Sequence, residues 1–219
     1  MTGGLRVAVI GAGALGSPMV QGLAAAQAAA LIRVVDGDVV ALSNLPRQPW
    51  YTEQDVGRPK VQALADPGQT VSPPWLESVP EMLTANNAHD LLEGMDLVLD
   101  GSDNWETRQA IEGWAWTVGK PWIFASALRW EGMTGLLQPG RACLRCLFGD
   151  ETLDGPRCFE SGVVGGLTLA VAGRALTILD WWGKNPADPA LDRWWLVDGW
   201  TGRTTGIRRN ERGCVHHGT

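Results

Sequence analysis

Short apolar runs alternate along the 219-residue chain with glycine-rich turns and with stretches of mixed polarity. Residues 5–10 form an apolar run that predicts a buried strand, and an alanine-rich helix is expected to follow to about residue 30. Leu31–Val35 predicts a second buried strand, which ends at Asp36. The order of strand, glycine-rich turn, helix, strand and acid is typical of the first βαβ unit of a doubly wound fold.

The rest of the chain predicts further strands and helices, although residues 42–60 are too irregular to predict a regular element. Strands are expected at residues 95–99, 121–125 and 129–138, and helices from residue 61, at 81–93, at 105–118 and at 162–182. Residues 194–198 and 202–208 predict a closing hairpin. The predicted fold is α/β, with a Rossmann-like, doubly wound mixed sheet that is parallel in its N-terminal half and antiparallel in its C-terminal strands.

A glycine-rich turn between the first strand and the first helix carries the first candidate chemistry. Gly11, Gly13 and Gly16 fit the pattern G-x-G-x-x-G, in which the glycines allow a tight turn, a close approach to phosphate and close packing of the helix. Asp36 follows 20 residues after Gly16, where its carboxylate can accept both hydroxyls of a ribose. A nucleotide site is therefore expected, but this motif does not distinguish NAD from ATP.

The segment that begins at Asp36 distinguishes the two nucleotides. Residues 36–48 read DGDVVALSNLPRQ, Gly57-Arg58-Pro59-Lys60 comes next, and Asp103-Asn104 closes a predicted strand. In order and spacing this set resembles the adenylation domain of the ThiF/MoeB/HesA family of ubiquitin-activating-enzyme-like adenylyltransferases. That family's pattern reads D-x-D-x-V-x-x-S-N-L-x-R-Q, then G-x-x-K, then D-N. The resemblance covers roughly residues 5–180.

The chemistry of adenylation fits the residue types in this pattern. A carboxylate must attack the α-phosphate of ATP and pyrophosphate must leave, so the site needs fixed cations and a metal. Arg47 and Lys60 are suited to neutralise phosphates, and Asp103 is suited to hold Mg²⁺. The resemblance implies the same catalytic roles. It also implies further nucleotide contacts from Gly11, Gly13, Gly16, Asp36, Asp38, Asn44, Gln48 and Asn104.

Structural roles are the alternative for several of these residues. Asp103 and Asn104 can simply cap a helix, because Asp and Asn often begin helices. Asn44 and Gln48 can stabilise a loop, and Arg47 can form a surface ion pair. The joint occurrence of these residues favours the nucleotide interpretation.

The charge balance narrows the choice of partners. The net charge is −6 and the isoelectric point is about 5.0, which argues against nucleic acid as the main partner. The longest apolar stretch, residues 163–179, is rich in glycine and contains Arg174, so no membrane span is expected. No signal-peptide pattern precedes the first predicted strand, and a cytoplasmic protein is expected.

A cysteine pair and a cysteine–histidine pair predict a structural zinc site. Cys143 and Cys146 form a C-x2-C turn, and Cys214 and His217 lie near the end of the sequence with the same spacing. Two such knuckles can supply the four ligands of a tetrahedral Zn²⁺. Proteins that resemble ThiF and MoeB carry C-x2-C in both places, so His217 would replace a cysteine here. His216 is the alternative fourth ligand, although its spacing is poorer. Buried thiols followed by a polar, histidine-containing tail are the alternative to a metal site.

The fourth cysteine, Cys158, lies between the first knuckle and the long helix. The resemblance implies that a cysteine in this region sits over the adenylate, where it can attack an activated carboxyl group or carry sulfur. Arg157 and the following helix N-terminus can lower the pKa of such a thiol. A passive cysteine is equally consistent with the sequence.

The resemblance also implies what the whole chain does. It implies ATP-dependent adenylation of the C-terminal glycine of a small ubiquitin-like or sulfur-carrier protein that ends in Gly-Gly, by a homodimer that uses ATP, Mg²⁺ and Zn²⁺. A single domain is expected over residues 1–219, with nucleotide binding in about 1–125 and the zinc knuckle and carrier binding in about 126–219. An NAD-linked oxidoreductase, a non-catalytic scaffold for a ubiquitin-like protein, and an enzyme that adenylates a small molecule or tRNA base remain alternatives.

Overall fold

The computed structural model describes residues 4–66, 75–141, 143–149 and 162–208, and these form one eight-stranded sheet covered by helices. The strands are β1 (Arg6–Ile10), β2 (Leu31–Val35), β3 (Leu76–Val79), β4 (Leu97–Asp100), β5 (Trp122–Leu128), β6 (Glu131–Leu137), β7 (Arg193–Asp198) and β8 (Thr204–Arg208). The α-helices are α1 (Gly16–Ala25), α2 (Lys60–Leu64), α3 (Ala88–Leu91), α4 (Trp105–Val118), α5 (Leu144–Phe148) and α6 (Gly165–Lys184). Short 3₁₀ helices lie at Leu42–Arg47, Glu53–Asp55 and Pro189–Leu191.

The strand order is β3-β2-β1-β4-β5-β6-β7-β8. The pairs from β3 to β5 are parallel, and the pairs β5–β6, β6–β7 and β7–β8 are antiparallel. The predicted mixed sheet, parallel first and antiparallel afterwards, is confirmed. Helix α4 has the predicted bounds, and the closing hairpin is present as β7 and β8.

Alternate residues of the central strands face two separate hydrophobic clusters, one on each side of the sheet. Val7 and Val9 of β1 belong to the cluster that includes α1 and α6, whereas Ala8 and Ile10 belong to the cluster that includes α4. Because both faces are covered, the central strands read as continuous apolar runs rather than as alternating ones. This is why their sequences predicted buried strands.

Three expectations differ from the structure, and local polar contacts or edge position explain them. Strand β3 was not predicted; it pairs only with β2 at the sheet edge, where a mixed sequence such as LESV is common. The helix expected at 81–93 is only the single turn Ala88–Leu91; the Asn87 side chain accepts the Thr84 N–H and caps the chain there, so no helix can begin before Thr84. The segment expected to be irregular, residues 42–60, contains two 3₁₀ helices and the first residue of α2.

The chain reverses its direction of sheet growth between β1 and β4. Strands β2 and β3 extend the sheet on one side of β1, and β4 returns to pair with β1 on the other side. A crevice forms at the carboxyl ends of the strands at such a switch point, and ligands bind there in open α/β sheets. None of the helices in the described part of the chain is long and apolar enough to cross a bilayer.

Candidate active site

A cleft of about 400 Å³ lies at this switch point, above the carboxyl ends of β1, β2 and β4. It brings together most of the nucleotide-site residues that the sequence predicts. Those that line it are Gly11, Gly13, Asp36, Asp38, Asn44, Arg47, Gln48, Lys60, Asp103 and Asn104. The remaining predicted glycine, Gly16, begins helix α1 directly behind the turn.

The glycine turn is as tight as the motif predicts. Gly11 has a φ of +88°, and its N–H donates to the Val35 carbonyl at 2.8 Å. A Cβ atom on Gly16 would lie 1.7 Å from the Gly11 carbonyl oxygen, so any side chain here would displace the turn. The start of α1 therefore lies close under the cleft, where the positive end of the helix dipole favours an anion.

Asp36 is held in place by two backbone donors. Its Oδ2 accepts the Ala12 N–H at 2.6 Å, and its Oδ1 accepts the Asp38 N–H at 2.7 Å. Burial raises the pKa of this carboxyl group, against the opposing effects of Lys60 and the backbone N–H donors. Each carboxylate oxygen keeps a second lone pair, so the group can still accept the two hydroxyls of a ribose.

The 3₁₀ helix Leu42–Arg47 forms another wall of the cleft. Asn44 accepts the Ala41 N–H through Oδ1, which leaves its amide donors available. Arg47 donates to the Ser43 carbonyl at 2.8 Å, and no carboxylate pairs with its guanidinium within the described ranges. Gln48 is buried, and its Oε1 has no hydrogen-bond partner in the described structure. Asn44 and Arg47 thus present donors with unused capacity beside the glycine turn, and Gln48 presents an unpaired acceptor.

Lys60 is a buried cation, and its side chain is only 7% exposed. Its Nζ donates to the Asp38 carboxylate at 2.7 Å, and its N–H donates to the Asp38 carbonyl at 2.9 Å. An ammonium group has three protons, so two remain for other acceptors. The Asp38 contact fixes the direction of the lysine toward the cleft that both residues line.

Asp103 and Asn104 follow β4 and have different environments. Asn104 is the N-cap of α4, and its Oδ1 accepts the Thr107 N–H at 2.8 Å. The capping role that the sequence left open is therefore real for Asn104. Asp103 is exposed and makes no hydrogen bond or ion pair with other described residues, so its carboxylate is available to a ligand.

Arg108 lines the cleft, although the sequence did not lead us to predict it as a site residue. Its guanidinium donates to the fully buried Asp100 at 3.2 Å, to the Ser102 carbonyl at 2.7 Å, and lies over the Phe124 ring. Burial raises the pKa of Asp100, and Arg108 and Ser102 oppose this shift. Arg108 thus holds the loop that carries Asp103. Its position one helical turn after Asn104 is the sequence signal that could have revealed it, because residues in the first turn of a helix lie beside its N-cap.

Tyr51 and Ser17 were also missed. The Tyr51 hydroxyl donates to the Ala12 carbonyl at 2.6 Å, and the Ser17 hydroxyl donates to the same oxygen at 2.8 Å. Both residues are buried, and neither lines the cleft. No sequence pattern marks Tyr51, because its partner is 39 residues away.

Part of the predicted zinc and cysteine chemistry lies outside the described residues. Cys143 and Cys146 flank the start of α5, and their sulfur atoms are 3.7 Å apart. Cys158, Cys214 and His217 lie outside the described residues. Within the described ranges, no group of three or more His, Cys, Asp or Glu side chains could hold a metal ion.

The family model for the ThiF family matches residues 3–214. The chain belongs to this family. It is 37% identical to the sulfur carrier protein adenylyltransferase of Thermus thermophilus, over 94% of this chain and 80% of that protein. It is 38% identical to the SAMP-activating enzyme E1 of Haloferax volcanii, over 73% of this chain and 60% of that protein. The chain thus spans less than two thirds of the haloarchaeal enzyme.

A solved structure shares the architecture of this chain. The structure of Escherichia coli MccB with MccA-N7isoASN superposes with a TM-score of 0.80 at 14% identity, covering 96% of this chain and 66% of that one. At this identity the likeness supports the fold alone.

Proposed function

We propose that this ThiF-family chain is an adenylyltransferase that activates the C-terminal glycine of a small ubiquitin-like or sulfur-carrier protein with ATP. The observation that carries the proposal is the cleft itself. At the switch point it combines the glycine turn, the carboxylate of Asp36, the cations Arg47 and Lys60, and the exposed carboxylate of Asp103. The names of the bacterial and haloarchaeal relatives, a sulfur carrier protein adenylyltransferase and a SAMP-activating enzyme, support the choice of acceptor.

The proposed reaction uses the cleft residues for charge and orientation. The carrier's terminal carboxylate attacks the α-phosphorus, and the bond to the leaving pyrophosphate breaks. Arg47 and Lys60 offset the negative charge of the phosphates, which would otherwise repel the incoming carboxylate. Asn44 and Gln48 donate to phosphate or ribose oxygens without adding charge. The exposed Asp103 is suited to hold Mg²⁺, which when bound neutralises charge on the leaving group.

The alternatives fit the cleft less well. An NAD-linked oxidoreductase needs no set of arginine, lysine and carboxylate around the phosphates. The described cleft lining contains no histidine to move a proton in hydride transfer. A scaffold for a ubiquitin-like protein would have no use for a lysine that is buried and aimed by its own carboxylate partner.

An ATP–pyrophosphate exchange assay with a Gly-Gly-terminated carrier from the same genome tests the proposal. Arg47→Ala, Lys60→Ala and Asp103→Ala are each expected to lower exchange by ~100-fold or more, because each removes a charge that acts on the phosphates. Lys184→Ala and Asp180→Ala are matched controls, since this exposed pair on α6 lies outside the cleft. If the protein binds ATP but no Gly-Gly-terminated carrier from the genome supports exchange, the result would falsify the assigned acceptor. Normal exchange in all three cleft variants would remove the assigned roles.

We also propose that Cys143, Cys146, Cys214 and His217 bind one structural Zn²⁺. The 3.7 Å between the first two sulfur atoms fits this, because ligands ~2.3 Å from a tetrahedral zinc lie ~3.8 Å apart. Metal analysis of the purified protein is expected to give one zinc per chain. Equal zinc content in His217→Ala and the wild type would contradict this ligand set, and His216→Ala is the matched control.

A covalent step at Cys158 is a separate proposal. The Cys158 thiolate would attack the carbonyl carbon of the acyl-adenylate and release AMP, which leaves a thioester. Cys158→Ser is then expected to retain pyrophosphate exchange and to lose a thiol-sensitive adduct with the carrier on a non-reducing gel. An unchanged adduct would assign the covalent step elsewhere.

We also propose a homodimer, which the family resemblance implies. Sedimentation equilibrium tests this proposal, and a monomer mass would contradict it.

A further inference from the structure

A buried hydroxyl pair lies behind the glycine turn. Tyr51 is the only tyrosine in the chain and is 4% exposed, and Ser17 is fully buried. Both hydroxyls donate to the Ala12 carbonyl, at 2.6 Å and 2.8 Å, and the two hydroxyl oxygens are 3.3 Å apart. Burial raises the pKa of Tyr51, so its hydroxyl keeps the proton that it donates.

The planarity of the peptide bond links this contact to the cleft. The Ala12 carbonyl and the Gly13 N–H belong to one peptide unit, and the structure contains no cis peptide bonds in the described ranges. In a trans peptide these two groups point in opposite directions. Because the carbonyl points at the buried hydroxyls, the Gly13 N–H points away from them. Gly13 lines the cleft, and its N–H has no hydrogen-bond partner among the described residues.

The other side of Ala12 is fixed as well. Its N–H donates to Asp36 at 2.6 Å, so both polar groups of Ala12 are held by buried or nearly buried partners. Rotation of the Ala12–Gly13 peptide would break the contacts with both hydroxyls. The unpaired Gly13 N–H is thereby kept in one orientation before any ligand binds, which is the form of preorganisation that favours binding of an anion.

Tyr51 also connects two walls of the cleft. Its N–H donates to the Gln48 carbonyl at 3.2 Å, and it follows Arg47 and Gln48 closely in sequence. The Gln48 amide nitrogen in turn lies 3.6 Å from where a Cβ of Gly13 would be. A single phenol therefore joins the segment that carries the arginine to the turn that carries the phosphate-facing amide.

We propose that Tyr51 is a positioning residue for phosphate binding, which holds the Gly13 N–H toward the phosphates and ties the Arg47 segment to the glycine turn. The proposal rests on the ATP site proposed above. It concerns the phosphates alone, because the ribose-suited Asp36 is held by the Ala12 N–H and does not depend on the direction of the Gly13 N–H. Tyr51 thus contributes to discrimination between ATP and adenosine.

The test compares the affinities of ATP and adenosine for wild type and Tyr51→Phe by isothermal titration calorimetry at fixed Mg²⁺. Loss of the phenol hydroxyl is expected to weaken ATP binding by about fivefold, the size of one buried hydrogen bond, and to leave adenosine binding unchanged. Ser17→Ala with Tyr51→Phe is expected to weaken ATP binding further. Ser78→Ala is the control, because it also removes a hydroxyl-to-carbonyl bond, at 2.9 Å to Val61, away from the cleft.

The ratio of the two affinities separates the possible results. A ratio that falls in Tyr51→Phe but not in Ser78→Ala supports the proposal. An unchanged ratio in the single and double variants, whatever their thermal stability, overturns it and makes Tyr51 a structural residue only. If the wild type binds ATP no better than adenosine, the phosphate site itself is absent and the proposed function fails first.

Discussion

The parallel and antiparallel halves of the molecule bury different kinds of groups. All of the buried charged side chains in the described ranges lie before residue 125; these are Asp36, Asp55, Lys60, Asp100 and Glu112. In the antiparallel half, the buried polar residues of the described ranges are the hydroxyls of Thr134 and Thr168. The antiparallel half also exposes Trp130 and Trp200, which pack edge to face at 5.1 Å. Of the five buried charged residues, Asp36 and Lys60 line the cleft and Asp100 contacts it through Arg108, whereas Asp55 and Glu112 do not line it. The buried hydroxyls of the antiparallel half lie in a region built mainly from apolar packing.

This difference shows that a site with buried charges needs more hydrogen-bond partners than an apolar region of the fold does. A buried charge is tolerated only when partners satisfy it, so the parallel half needs a dense set of hydrogen bonds around the cleft. The antiparallel half has no such requirement. Substitutions in the two halves should therefore differ in size, and four comparisons test this.

The largest effect is expected at Gly16. Gly16→Ala places a methyl group 1.7 Å from the Gly11 carbonyl, so the variant should lose ~4 kcal/mol or more of folding free energy, or fail to fold. Gly173→Ala in α6 is the matched control, because its Cβ would meet nothing within 4 Å. That variant should gain ~0.5–1 kcal/mol from helix propensity. Urea denaturation measures both, and equal effects would show that the glycine turn is not tight.

The next effect is expected at the buried ion pair of Asp100 and Arg108. Arg108→Met leaves Asp100 buried without its cation and should cost ~3 kcal/mol of folding free energy. The double variant Asp100→Asn with Arg108→Met should cost less than the sum of the two single changes. Lys120→Met, at the more exposed pair with Asp96, is the control and should cost ~1 kcal/mol or less. Additive losses at Asp100 and Arg108 would contradict the coupling.

A pH effect is expected at Asp36. Its pKa is raised by burial, so on acidification it takes up a proton at a higher pH than an exposed aspartate, and it then loses acceptor capacity for a ribose. Adenosine affinity should fall as the pH drops through this raised pKa, and Asp36→Asn should show no such fall. The contribution of Asp36 to the free energy of unfolding changes in the opposite direction and rises as the pH falls. A group with a raised pKa in the folded state binds the proton more tightly when the chain is folded. Acid-induced unfolding in parallel with the loss of adenosine binding would contradict this assignment to Asp36.

The smallest effect is expected in the antiparallel half. Trp200 is 76% exposed, so Trp200→Ala should lower the folding free energy by less than ~1 kcal/mol, mostly through its contact with Trp130. ATP affinity measured by calorimetry should not change. A weaker ATP affinity in this variant would show that the two halves are energetically linked.

Much of the fold could be predicted because its signals are local in sequence. The glycine pattern, the strand that ends at Asp36 and the Asn104 cap each depend on residues within about 20 positions, and the family resemblance that they carry is confirmed. Strand β3 could not be predicted, since its structure depends on pairing with β2 more than on its own mixed sequence. Tyr51 was missed for a similar reason, because its partner Ala12 is 39 residues away. Arg108 differs, since its partners Asp100 and Ser102 are only 8 and 6 residues away and its place one turn after Asn104 was a local signal.

The return of β4 to the side of β1 has a consequence for how the protein folds. Val7 pairs with Leu97, 90 residues later, so the wall of the cleft that follows β4 can form only after this long-range contact. Non-local pairings form slowly because the chain must first close a large loop. A nascent chain that ends near residue 66 would already contain the glycine turn, Asp36, Arg47 and Lys60, yet it would lack the β4 wall with Asp103. If ATP binds in this cleft as proposed, it can stabilise the chain only after the long-range pairing of β1 with β4 has formed.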